Sequence, residues 1–137
     1  MKPDFSGDWT LNLRASTLGA AVANSVRSGT LRIEHHEPKI AVHLRIVFDD
    51  QPVDARFERA TDGCPIAGLD HGLPSSSTAG WDGNALVFTD ESHTPGGDIM
   101  ICFRYELEDD GHWLRATERI RGGGREQDNV WVFERNA

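Results

Sequence analysis

With 137 residues, 38% apolar and 8% aromatic side chains, the chain has the size and composition of one soluble domain (residues 1–137) and is too mixed for a disordered tail. The 22 acidic residues against 14 basic ones leave a net charge of -8 and a pI near 5.1, a field that repels phosphate backbones and anionic lipid surfaces, so nucleic acid is not an expected partner. No apolar run approaches the roughly 18 to 20 residues of a membrane helix, and the opening Met-Lys-Pro-Asp-Phe-Ser-Gly lacks the apolar stretch of a signal peptide; no membrane insertion is expected, and the chain as given reads as cytoplasmic.

Taken in chain order, the first period-two alternation covers residues 7–14 and carries Trp9, Leu11 and Leu13. Residues 15–27 alone have helical spacing, with Ser16 placed to cap a short stretch containing Leu18, Ala21 and Val22. Strands are then predicted near 28–36, 39–48, 53–61, 75–81, 85–92, 98–108, 113–121 and 127–135. Between them lie turn clusters: Glu37-Pro38, Asp49 to Pro52, Asp62-Gly63-Cys64-Pro65, Asp82-Gly83-Asn84, Pro95-Gly96-Gly97, Asp109-Asp110-Gly111 and Gly122 to Gly124. Either residues 15–27 or the stretch from Ile66 to Ser77, with Gly68, Gly72, Pro74 and three serines, reads as a mobile lip over a barrel mouth.

Residues opposite each other in an antiparallel hairpin share a face, which tests the assignment. A turn at Glu37-Pro38 sets Leu31 against Leu44, Ile33 against Val42 and His35 against Ile40, so the apolar faces coincide. An Asp49 to Pro52 loop sets Phe48 against Val53, Ile46 against Ala55 and Leu44 against Phe57. A loop from Gly122 to Arg125 sets Ala116 against Trp131, Leu114 against Phe133 and Glu118 against Asn129, with Phe103 flanking Glu118 from the other side. Consecutive hairpins with agreeing faces predict an all-β fold, a single antiparallel up-and-down β-barrel of about 8 to 10 strands with at most one short helix. Closure of such a meander removes its two exposed edges.

Phe5-Ser6-Gly7-Asp8-Trp9, followed by a strand, resembles the Phe-x-Gly-x-Trp opening of the calycin superfamily, the lipocalins and fatty-acid-binding proteins. The remaining chain is similar to a bacterial group of small lipocalin-like proteins through Leu31 to Ile46 around His36-Glu37-Pro38-Lys39, Thr61-Asp62-Gly63, Trp81-Asp82-Gly83 with Leu86, Asp110-Gly111 and Val132-Phe133-Glu134. The resemblance implies that Trp9 sits near one end of a barrel, with the entering chain passing close beneath it at Gly7. The Arg-x-Tyr pair with which fatty-acid-binding proteins hold a ligand carboxylate has no counterpart; Trp131-Val132-Phe133 occupies the last strand. The glycine-rich opening of haem-binding nitrobindins is also missing beyond Gly7 and Trp9, so no cofactor is expected.

Alternation predicts an interior of Trp9, Leu11, Leu13, Leu31, Ile33, Leu44, Ile46, Phe57, Trp81, Phe88, Phe103, Tyr105, Trp131 and Phe133. These residues either fill a closed core or line a partly open apolar cavity, which the calycin resemblance favours. The predicted ligand-binding set is Trp9, Leu31, Ile33, Leu44, Phe57, Trp81, Phe88, Phe103, Tyr105, Glu118, Asn129, Trp131 and Phe133. A carboxyl among aromatic rings is a general acid or base when desolvated, and a rim carboxylate paired with arginine when not.

Cys64 and Cys102 lack a Cys-x-x-Cys partner and read as free thiols. The six histidines have no metal-ligand spacing: His35 and His36 point to opposite faces, His43 faces Arg32, and His71, His93 and His112 fall at loops, so no metal is expected. The favoured function is binding of a small, predominantly apolar molecule as a carrier or sensor, by a monomer or homodimer, with entry past residues 15–27 or 66–77. Two alternatives stay open: an isomerase, hydratase or cyclase using Glu118, Tyr105 or His35 as acid or base, and a filled barrel that dimerises through the surface around Val47, Val87 or Trp113.

Overall fold

The alternation and its turns become ten strands in a computed structural model that describes residues 2–49, 51–70 and 72–136. The strands are β1 (Gly7–Leu11), β2 (Val26–His36), β3 (Lys39–Phe48), β4 (Gln51–Ala60), β5 (Ile66–Asp70), β6 (Leu73–Asp82), β7 (Ala85–Thr94), β8 (Gly97–Glu108), β9 (Trp113–Gly122) and β10 (Arg125–Arg135). A four-residue helix, α1 (Ala20–Ala23), lies between β1 and β2. All the strands belong to one sheet ordered β4-β3-β2-β1-β10-β9-β8-β7-β6-β5, antiparallel throughout, which curls into a half-barrel of calycin type. His71 lies outside the described residues.

The meander order follows from short connections, because consecutive strands joined by tight turns have no neighbour but each other. Pairing of β1 with β10 closes the sequence ends together, through Trp9↔Arg135 and Leu11↔Phe133. Gly122 ends β9 at a φ of 101°, and a Cβ there would lie 1.9 Å from the Asp98 carbonyl oxygen. Only glycine allows β9 to turn so close beneath the start of β8.

The β2–β3 and β9–β10 registers are those expected, including Leu31↔Leu44 and Glu118↔Asn129. The β3–β4 register differs by two residues: Phe48 faces Gln51, Ile46 faces Val53, Leu44 faces Ala55 and Val42 faces Phe57. Asp49 adopts a φ of 44°, so the chain reverses at once and the ladder runs on through Pro52. An edge strand tolerates that proline, and a shift of two leaves every side chain on its expected face.

Three expectations are corrected. The helix is confined to Ala20–Ala23 with Gly19 as its cap residue, and Ser16 does not cap it. The Ser16 hydroxyl instead donates to the Asn12 carbonyl at 2.7 Å and accepts from the Val132 N–H at 2.9 Å. Strand β1 therefore stops at Leu11, residues 12–18 fold over the outer face of β10, and Leu13 is 40% exposed rather than interior. This cover leaves Val132 buried although it points away from the barrel interior.

The supposed lip is the third correction. Ile66–Asp70 pairs with Leu73 to Ser77 as a regular hairpin, while Ile66 and Leu69 remain exposed. An edge hairpin held by backbone hydrogen bonds needs no apolar alternation, so the Gly, Pro and Ser content concealed it.

The sheet keeps two edges, β4 and β5, because no ladder joins them among the described residues. Side chains span the gap. Phe57 on β4 meets Phe88 on β7 edge-on at 5.6 Å, and Arg59 reaches Ser77 and Asp90 at 3.4 and 3.5 Å.

Candidate ligand cavity at the helical end

One end of the barrel is filled. Trp9 is fully buried, its Nε1 donates to the Phe5 carbonyl at 3.1 Å, and the Arg135 guanidinium lies 4.3 Å above its ring. Arg135 also donates to the Ser6 and Gly111 carbonyls, so it ties the entering chain to the last strand. A Cβ on Gly7 would sit 2.8 Å from that guanidinium, which explains the glycine before the tryptophan. Phe5, His35 and Trp81 form a triangle of rings: Phe5 stacks on His35 at 5.8 Å and on Trp81 at 6.0 Å, and His35 and Trp81 are 5.8 Å apart.

His35 belongs to this plug and not to a cavity. Its Nδ1 accepts the Phe5 N–H at 3.2 Å and its Nε2 is 2.8 Å from Glu37. Glu37 also accepts from Thr61 and from the Trp81 Nε1. With both ring nitrogens engaged, His35 has no lone pair or proton to offer a guest.

The opposite end carries α1 and the β3–β4 turn, linked by the Asp49 N–H donating to the Ser25 carbonyl. Here an apolar cavity of about 180 Å³ lies between Leu44, Ile46, Phe48 and Val53 on one wall and Phe103, Tyr105, Ala116, Glu118, Trp131 and Phe133 on the other. Val53 is 50% exposed, so the cavity opens beside β4. Wider depressions lie elsewhere: a shallow, charged groove of about 670 Å³ on the outer face of β2–β4 among Arg32, Glu34, His43, Arg56 and Glu58, and hollows of about 390 and 300 Å³ beside Leu13, Leu18 and Val26 and beside Ala15, Trp113 and Val132.

Glu118 is held at the cavity wall by three links. Its Oε1 accepts from Asn129 Nδ2 and Trp131 Nε1, each at 3.0 Å. Asn129, itself buried, accepts the Gly19 N–H through Oδ1 at 2.8 Å, which fixes its amide nitrogen toward Glu118. Tyr105 also lines the cavity, and its hydroxyl makes no hydrogen bond to the described residues. Burial, and then the Glu118 charge, push Tyr105 well above the usual phenol range, so it stays protonated.

Of the thirteen residues predicted to bind a ligand, Leu44, Phe103, Tyr105, Glu118, Trp131 and Phe133 line this cavity. Asn129 stands behind Glu118, Leu31 and Ile33 belong to the buried core, and Phe57 and Phe88 meet across the gap beside β4. Trp9 and Trp81 belong to the plug. Ile46, Phe48, Val53 and Ala116 complete the lining; the observed register sets Val53 opposite Ile46, further from the turn than expected. Of the acid–base candidates the cavity brings together Glu118 and Tyr105. No group of three His, Cys, Asp or Glu side chains among the described residues is placed to hold a metal ion. No helix among the described residues is long and apolar enough to cross a membrane.

Ten antiparallel strands in meander order, a tryptophan plug at one end and a cavity at the other define a calycin-type fold. The chain is similar in structure to human cRBP IV, with 17% identity, a TM-score of 0.65 and coverage of 98% and 99% of the two chains. It is also similar to a fatty acid binding protein of Schistosoma mansoni in complex with arachidonic acid, at 15% identity, a TM-score of 0.59 and coverage of 97% and 96%. A third similar structure is the zebrafish ileal bile acid-binding protein complexed with cholic acid, at 12% identity, a TM-score of 0.60 and coverage of 96% and 98%. No family model matches the sequence, and no curated protein matches it.

Proposed function

We propose that the protein binds one small, predominantly apolar molecule in the cavity beneath α1. The observation that carries this reading is the 180 Å³ space itself, walled by aromatic and aliphatic side chains in a barrel whose other end is solidly filled. A barrel with no binding role has no need to leave aromatic faces unpacked, since interior voids forfeit dispersion contacts. The similar proteins that hold arachidonic and cholic acids on this fold support the reading.

The guest is compact. A void of about 150 Å³ accommodates a benzene-sized molecule, and 180 Å³ is well below the roughly 300 to 1,000 Å³ of clefts that take drug-sized ligands. Native mass spectrometry of the purified protein, together with titration of its intrinsic tryptophan fluorescence by ethylbenzene, tests the proposal. Saturable quenching or a co-purified hydrophobe is expected. A clean apo mass with no response to ethylbenzene sinks it.

A further inference from the structure

The headgroup of the guest can be read from the charged side chain that reaches the cavity, an inference that rests on the binding reading above. Apart from Glu118 and the Tyr105 hydroxyl the lining is apolar, and none of the lining residues is basic. Glu118 is not free to swing into solvent, because Asn129 and Trp131 hold Oε1 and the Gly19 N–H orients Asn129. Its Oε2 has no donor among the described residues. Tyr105 is 5% exposed and lines the same space, and its hydroxyl makes no hydrogen bond among the described residues.

A carboxylate surrounded by aromatic faces is complementary to a cation, which gains both a charge-assisted hydrogen bond and attraction to the ring quadrupoles. A guest carboxylate would meet a like charge at close range in a poorly solvated space. We propose that the cavity selects a compact aromatic or alicyclic primary amine, with its ammonium donating to Glu118 Oε2 and Tyr105 and its apolar body lying against Phe103, Trp131 and Phe133. An ammonium has donors enough for both acceptors, whereas an alcohol supplies a single donor.

Isothermal titration calorimetry near neutral pH with phenethylamine, phenethyl alcohol, phenylacetate and ethylbenzene provides the test. Phenethylamine is expected to bind about tenfold more tightly than the alcohol, and phenylacetate more weakly than either. Glu118→Gln should abolish the amine preference, read as the ratio of amine to alcohol affinity within the same variant, which separates the cavity carboxylate from the protein's overall negative charge. The probe order on the unaltered protein stands as a test even where the variant folds poorly. Phenylacetate binding as tightly as the amine, or an amine preference that survives in E118Q, overturns the assignment. Ethylbenzene binding with no amine preference overturns the headgroup assignment alone; failure of all four probes overturns the cavity reading and this inference with it.

Discussion

Glu37 shows how a single side chain sets the behaviour of the plugged end. It sits at the β2–β3 turn and joins His35 on β2 to Thr61 after β4 and Trp81 on β6. Partial desolvation pushes its carboxyl up, but the hydrogen bonds from Thr61, His35 and Trp81 outweigh it and hold the group below its ordinary value of 4.5. A carboxyl depressed in the folded state adds stability that is fully present above the unfolded value and is lost as pH falls through the folded one. The contribution should therefore fade below about pH 4.5. Because the side chain is 40% exposed, solvent screening keeps the effect small. Glu37→Gln is expected to lower stability near neutral pH by about 1 kcal/mol and to flatten the acid limb of the urea midpoint plotted against pH. Parallel acid limbs in the two proteins would show that the carboxyl's charge has no part in holding the plug. None of this was legible in the sequence, where Glu37 read only as turn punctuation beside Pro38, because its three partners come from positions 2 to 44 residues away.

At the scale of elements, the segment 12–25 matters most for the cavity, and helix propensity says little about it. Four residues are too few for a helix to stand without tertiary support. The segment is held by Ser16 on Val132, by the Thr17↔Val130 bridge and by Asn129 on Gly19. The last contact couples the cover to the cavity, since the Asn129 that receives the Gly19 N–H also donates to Glu118. Asn129→Ala removes both bonds and should cost about 1 to 3 kcal/mol. Amide exchange by mass spectrometry should then speed up across residues 13–25 while the β9–β10 ladder stays protected, and unchanged exchange in that segment would refute the coupling. The strands themselves were readable because each buries one face, and the alternation records that face directly. The facing of Glu118 and Asn129 followed from register alone; the two N–H donors that use it, from Gly19 and Trp131, did not, because neither loop path nor indole orientation has a sequence period.

For the whole molecule, the governing feature is a curled sheet whose two edges no ladder joins among the described residues. Across the gap beside β4 the links include the Phe57–Phe88 ring contact, the long Arg59 bonds to Ser77 on β6 and Asp90 on β7, and the Gly63 N–H donated to the Ala79 carbonyl at the plugged end. Bonds of 3.4 and 3.5 Å from an arginine lie at the weak limit of hydrogen-bond geometry. Strands β4 and β5 are also the most exposed in the sheet, with Val53, Ile66 and Leu69 all at least half in water. Few buried contacts and an unpaired backbone edge place these strands at the low end of local stability, so they should open without global unfolding. The cavity mouth lies beside Val53 on this same edge, which makes that opening the natural route for a guest. Arg59→Ala should change global stability by less than about 1 kcal/mol, as expected for a partly exposed ion pair. It should nevertheless accelerate both binding and release of ethylbenzene in stopped-flow fluorescence, leaving the equilibrium affinity nearly constant, because Arg59, near the far end of β4 from Val53, holds the seam and does not line the cavity. Amide exchange provides the independent check: β4 and β5 should lose protection before β9 and β10 in the unaltered protein, and more steeply in R59A. Unchanged kinetics with an altered affinity would place entry elsewhere, beneath α1, and would make the seam a static joint.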